Sequence, residues 1–195
     1  MAVNSKSKGI TFERVICKKL SFWWTNGKRG DVFWRSAGSG AMATTAHRSG
    51  SSRANMEGDI SYSDAIGKPL IDLFCIELKS GYGGWNVTDL IESNQKETTF
   101  EKFWNQASES ALHSNALPML IYHKDRKNTM VAINLEAKTM LKKQVIARHS
   151  LFDIPYFNIR ISNKIGDIYI YRFIDFFEAI KPEDIKGVIN ACGRD

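Results

Sequence analysis

Asp59 in "GDI" and Glu77 and Lys79 in "CIELK" are the residues of this sequence whose types and spacing could share one chemistry. Residues two apart on a strand point to the same face, roughly 7 Å from each other by the strand rise. Glu77 and Lys79 therefore stand side by side at the end of an apolar run. An acid and a base so placed are either a solvated strand end or part of a site, and E-x-K alone does not choose between them. If the strand that Asp59 begins lies antiparallel beside the strand that Glu77 ends, the three side chains converge. Two adjacent carboxylates make an oxygen-rich pocket for a hard cation, Mg2+ above all. Such an ion lowers the pKa of a water and neutralises charge growing on a phosphate. A neighbouring lysine can orient or deprotonate that water and stabilise the developing charge. Glu13, upstream, could add a third carboxylate. The set suits phosphodiester hydrolysis.

The elements that must hold these groups are legible as periodicities. Phe12, Val15, Ile16, Leu20 and Trp23 recur at helical spacing and predict a helix over 8–24, with Glu13 at the edge of its apolar stripe. "TNGKRGD" is a turn and "VFWRS" a short strand. "GDISYSD" and "PLIDLFCIELK" read as adjacent strands joined near Gly67-Lys68-Pro69. The second is apolar on both faces, which predicts a central strand covered on each side. Phe100, Phe103, Trp104, Ala107 and Ala111 predict a second amphipathic helix over about 98–114. Two strands around an Asp-Arg-Lys-Asn turn, a short helix near 135–145, a hairpin in "FNIRISNKIGDIYIYRF" and a last helix over about 174–190, interrupted at Pro182, complete the chain. The expected fold class is α/β: helix, three-strand antiparallel meander, helix, further strands. A single domain over 1–195 is expected, with a core of about 8–134 and a C-terminal extension of about 135–195.

Composition is that of a globular protein, 43% hydrophobic and 25% charged over 195 residues. No apolar run is long enough to span a bilayer, and the first residues lack the apolar core of a signal peptide, so a cytoplasmic location and no membrane partner are expected. Three scattered cysteines, without a C-x-x-C pair, read as reduced and mostly buried thiols. The four histidines are too dispersed to make a zinc site with them. "AGSGAMA" brushes against a dinucleotide fingerprint, but no apolar helix follows, and with no Walker A motif no ATP hydrolysis is expected. Charge is uneven: residues 1–56 carry ten Lys and Arg against two acids, a net of +8 in a chain whose total is +6. That asymmetry suggests a polyanion-binding face; the alternative is a solvated basic surface. Trp23, Trp24, Trp34, Trp85 and Trp104 could stack on bases; Trp23 and Trp104 fit core positions better, and Trp85, in a glycine-rich turn, is the one to test on DNA.

With these residues in hand, the sequence resembles the PD-(D/E)XK nucleases, and within them the archaeal-type Holliday junction resolvases. "KGITFERVICKKL" is similar to the opening helix with its glutamate, Glu13; "WRSAGSG" is similar to the strand and Arg-Ser-rich loop after it; "GDI" and "CIELK" supply Asp59, Glu77 and Lys79. The resemblance implies a restriction-endonuclease-like core in which Glu13, Asp59 and Glu77 bind Mg2+ (Mn2+ substituting) and Lys79 assists the attacking water. It implies DNA contacts from Arg35, Ser36 and Ser39. The basic segment that follows adds Arg48 and Arg53 as phosphate contacts. Gln106 corresponds to a glutamine near the active site of related nucleases. Gly58 stands in the place of the motif proline. About twenty residues separate "AGSG" from "GDI", and the C-terminal 60 residues exceed the minimal fold, which suits a phage or mobile-element branch.

Three functions compete. The first is a metal-dependent endonuclease acting on branched DNA as a homodimer. The second is a restriction-type nuclease with the same chemistry and another target. The third is a DNA-binding protein that kept the fold and lost the chemistry, whose usual sign is an eroded motif; Asp59, Glu77 and Lys79 are all present.

Overall fold

The structure, a computed structural model, describes residues 5–36, 57–81, 84–86, 88–92, 94, 96–145, 154–160 and 166–193. Helix α1 (Ser5–Trp24) leads into strand β1 (Phe33–Arg35), which pairs antiparallel with β2 (Ile60–Tyr62). Then come α2 (Lys68–Leu73), β3 (Phe74–Ser80), the short α3 (Asp89–Glu92) and α4 (Thr99–His113). Strands β4 (Leu117–His123) and β5 (Thr129–Asn134) follow, then α5 (Leu135–Val145), β6 (Tyr156–Arg160), β7 (Asp167–Arg172), α6 (Phe173–Ala179) and α7 (Pro182–Ala191). Five strands form one sheet in the order β3-β4-β5-β7-β6, parallel between β3 and β4 and antiparallel elsewhere.

The architecture is mixed α/β, a sheet between two layers of helices, and it fits a restriction-endonuclease-like core. Strand periodicity sorts the two apolar clusters. Phe74, Ile76, Leu78, Met119, Ile121, Val131, Ile133 and Tyr171 face one side, packed with Ile16 and Leu20 of α1 and Phe176, Ile185 and Val188 of the last two helices. Leu120, Tyr122, Ala132, Ile168 and Ile170 face the other, against Phe100, Phe103, Trp104 and Ala107 of α4. β6, β7, α6 and α7 thus belong to the same sheet and core as the opening helix. Pro182 starts a helix at its first turn, where a missing N–H costs nothing, which explains the break before it.

The segment read as one strand over 69–79 divides. Lys68–Leu73 is a helix, begun by Pro69 in its first turn, and the strand starts only at Phe74. The meander is also not a continuous ladder. β2 pairs with β1, and its N-terminal end meets β3 through the Asp59 N–H, which donates to the Ile76 carbonyl at 2.8 Å. β3 therefore lies at the edge of the five-stranded sheet instead of its centre. Both its faces are buried because α1 covers one, with Phe74, Ile76 and Leu78, and α4 the other, with Cys75 and Glu77. On α1 the buried stripe is Ile16, Cys17, Leu20, Ser21 and Trp24, while Val15 is exposed. Phe12 and Trp23 pack at the edge of that stripe, and the buried Ser21 hydroxyl is satisfied internally, donating to the Cys17 carbonyl and accepting from the Phe33 N–H.

Gly58 fixes where the site begins. Its φ is 76°, and a Cβ there would lie 2.9 Å from the Ile76 carbonyl oxygen. Proline, held near φ −65°, cannot take that conformation, so the glycine in the motif position matches this backbone.

Candidate active site

Asp59 is stitched into the backbone on three sides. Its N–H donates to Ile76, its carbonyl accepts from the Ser36 N–H at 3.0 Å, and its Oδ2 accepts from the Leu78 N–H at 2.8 Å. The last bond turns the carboxylate toward the end of β3. Glu77 and Lys79 project from the β3 face that α4 covers, because they alternate with the buried Ile76 and Leu78. Glu77 is 3% exposed, and its Oε1 accepts from Lys79 Nζ at 2.5 Å and from Gln106 Nε2 at 2.6 Å. Gln106 arrives from α4, a helix begun by a complete capping box between Thr98 and Glu101. Lys79 Nζ also lies 5.8 Å from the centre of the Phe103 ring on the same helix.

The electrostatics are unbalanced. Two buried carboxylates face one ammonium. Burial first, and then the charge of Glu77, push the Asp59 carboxyl up from 3.8 to about 7, against the Leu78 N–H and Lys79, which pull it down. A carboxyl so perturbed beside a second carboxylate and a lysine makes this cluster the candidate functional site. The donor set fits a divalent cation: hard oxygens, buried, with a surplus negative charge that a cation would relieve.

Glu13 stands apart. It comes from α1, on the opposite face of the sheet from α4, and its Oε2 accepts from Arg35 Nε in a partly buried ion pair. It still acts electrostatically, raising the Asp59 carboxyl and, after burial, the Cys17 thiol. Among the described residues, no three His, Cys, Asp or Glu side chains are gathered tightly enough to hold one metal ion. The structure thus brings together Asp59, Glu77, Lys79 and Gln106, and holds Glu13 one ion pair away.

The expected DNA contacts fare variously. Arg35 is engaged by Glu13. Ser36 is 5% exposed, and its buried Oγ has no hydrogen-bond partner among the described residues. Ser39, Arg48 and Arg53 lie outside the described residues. Trp85 is a correction: it is 6% exposed and packs against Phe100, Phe103 and Tyr122, with Lys124 over its ring. A glycine-rich turn suggested exposure, but the large ring caps the second apolar cluster. Trp34 is the exposed tryptophan, at 56%. Trp85→Ala is expected to cost about 3–5 kcal/mol of stability, measured by denaturant unfolding, and to leave the DNA affinity of the folded fraction unchanged. Cys17 and Cys75 are buried thiols, each raised to about 12 by burial.

Sequence reasoning missed the Arg35–Glu13 pair. Its one signal was that Arg35 and Phe33 share a strand face, and Phe33 reads as core against the first helix. It also gave no weight to Phe103 beyond packing.

The family model described as "Phage putative PDDEXK endonuclease" matches residues 4–187. Protein D14 of Escherichia phage T5 is 33% identical over 138 residues, 69% of this chain and 73% of that protein. No solved structure matches.

Proposed function

The chain belongs to the phage PDDEXK endonuclease family, and from that premise we propose that it is a Mg2+-dependent DNA endonuclease, acting as a homodimer on branched DNA. PDDEXK nucleases use divalent metals, and Mn2+ is expected to substitute for Mg2+ here. The observation that carries the reading is the buried pair Asp59 and Glu77, whose surplus negative charge is met by a single lysine.

Asp59 and Glu77 would hold the ion, with Glu13 as a further carboxylate on the α1 side. The ion, when bound, supplies charge neutralisation at the scissile phosphate and a more acidic water. Every other part of the task falls to backbone and side-chain groups of the chain. The Leu78 N–H fixes the Asp59 carboxylate. Gln106, itself neutral, holds Glu77 in place without spending a charge on it. Lys79 stands where it can orient a water and stabilise the charge that builds on the phosphate during attack. Arg35 and the basic N-terminal segment, with Ser36, Ser39, Arg48 and Arg53, are proposed to engage the DNA backbone. A symmetric dimer would present two such sites to two strands. Among the described residues no helix is long and apolar enough to cross a membrane.

Matched linear, nicked, flapped and four-way DNAs, incubated with and without Mg2+, test this reading. Mg2+-dependent cutting of the four-way substrate ahead of linear duplex is expected. Equal cutting of linear duplex would favour the restriction-type target. Tight binding with no cutting under either Mg2+ or Mn2+ would favour a non-catalytic DNA-binding protein.

A further inference from the structure

Glu13 and Arg35, which the reading above assigns to the metal shell and to the DNA backbone, are paired with each other in this structure. Their side chains are 15% and 25% exposed, so the pair is neither a solvated surface contact nor fully sealed. The groups that share its surroundings are Asp59, whose carboxyl Glu13 raises, and Cys17, which feels Glu13, Arg35 and Asp59 together. Arg35 ends a three-residue strand whose preceding residue, Trp34, is 56% exposed, and the next residue, Ser36, donates its N–H to the Asp59 carbonyl. The Arg35 side chain is thus partly open to solvent while its strand is bonded at its end to Asp59. Its planar fork of N–H donors suits a carboxylate and a phosphate equally well. Glu13 and a phosphate of the substrate compete for the same donors.

We propose that Arg35 is a positioning residue that couples DNA engagement to completion of the metal site. Without DNA it holds Glu13 away from Asp59 and Glu77. When a backbone phosphate takes the guanidinium, the Glu13 carboxylate is released toward them. This rests on the nuclease reading above and adds an order of events to it. Linkage makes the effect reciprocal: DNA tightens divalent-cation binding by the factor by which the cation tightens DNA binding.

The test is a double-mutant cycle on DNA affinity in chelator, where no cleavage occurs. A fluorescent four-way DNA is titrated with wild type, Glu13→Gln, Arg35→Met and the double variant, each checked for folding by thermal melting. Glu13→Gln frees the guanidinium and is expected to bind DNA about tenfold more tightly, the scale of one charge-assisted hydrogen-bonded pair. In the Arg35→Met background the same change should give less than about twofold, since no guanidinium remains to be freed. An equal gain in both backgrounds, from general charge removal alone, or no gain in either, overturns the proposal. Should Arg35→Met fail to fold, Arg35→Gln closes the cycle. A calorimetric titration with Ca2+ supplies a second reading: DNA should raise Ca2+ affinity in wild type and lose that effect in Arg35→Met. Failure of the two readings separates cleanly. Wild type that cuts DNA while the cycle is additive defeats only the coupling. Wild type that binds DNA and never cuts defeats the nuclease reading while the cycle still reports on Arg35. Wild type that binds no DNA defeats both.

Discussion

Asp59→Asn and Glu77→Gln, assayed separately, are each expected to abolish metal-dependent cleavage while keeping the fold and much of the DNA affinity. Asn retains an oxygen for the Leu78 N–H, so the change removes charge and little else. The buried, raised carboxyl adds a signed consequence. Asp59 goes from 3.8 to about 7 on folding, so between those values the folded chain binds a proton that the unfolded chain has released. Its contribution to stability is fully present below the lower value and is lost as pH rises through the upper one. In chelator at about pH 8, Asp59→Asn should therefore melt higher than wild type, and the difference should vanish toward about pH 4. Divalent-cation affinity of wild type should rise with pH through about 7, because the ion must displace that proton. Cleavage assays beside thermal melts check this. Near-wild-type cutting by either variant would sink the assignment; loss of activity together with lower stability at high pH would make Asp59 a structural residue.

Lys79→Ala should fail in a different way. Lys79 is not a metal ligand, and it touches Glu77 at 2.5 Å with a side chain only 13% exposed. Its removal takes away the cation that balances the pair and that would stabilise charge on the attacked phosphate. Single-turnover cleavage is expected to slow by ~10²-fold or more, with cation binding kept. The same measurement of cation affinity decides between roles. If rate and affinity fall together, Lys79 is only an ion-pair partner of Glu77.

Much of the fold could be read locally. The helices over 99–113 and 135–145, the two strands around residues 124–128, the late hairpin and the helix break at Pro182 all carry their cause within a few residues: a capping box, an apolar period, a turn, a proline in a first turn. The errors came where local signals were even. Lys68–Leu73 is apolar enough for strand or helix; Pro69 suits a helix's first turn as well as a turn between strands, and packing under α7 and against β3 goes with the helix. Trp85 sits in turn-like sequence, yet its ring is claimed by Phe100, Phe103 and Tyr122, which lie well downstream.

The sequence by itself determined the chemical kit: two acids and a lysine at strand ends, a glutamate on a leading helix, and a basic first quarter. Residue type sets what a group can do, and strand alternation puts Glu77 beside Lys79 without reference to anything distant. Tertiary structure decided which of those groups meet. Gly58 and the Ile76 carbonyl bring Asp59 to β3; α4 delivers Gln106 to Glu77; and α1, on the other face of the sheet, leaves Glu13 with Arg35. None of these meetings is encoded in spacing, because each joins segments whose approach depends on how the sheet and its two helical layers bury their apolar faces. The raised Asp59 carboxyl has the same origin: exposed, it would be an ordinary aspartate, and burial first, then the charge of Glu77, lift it.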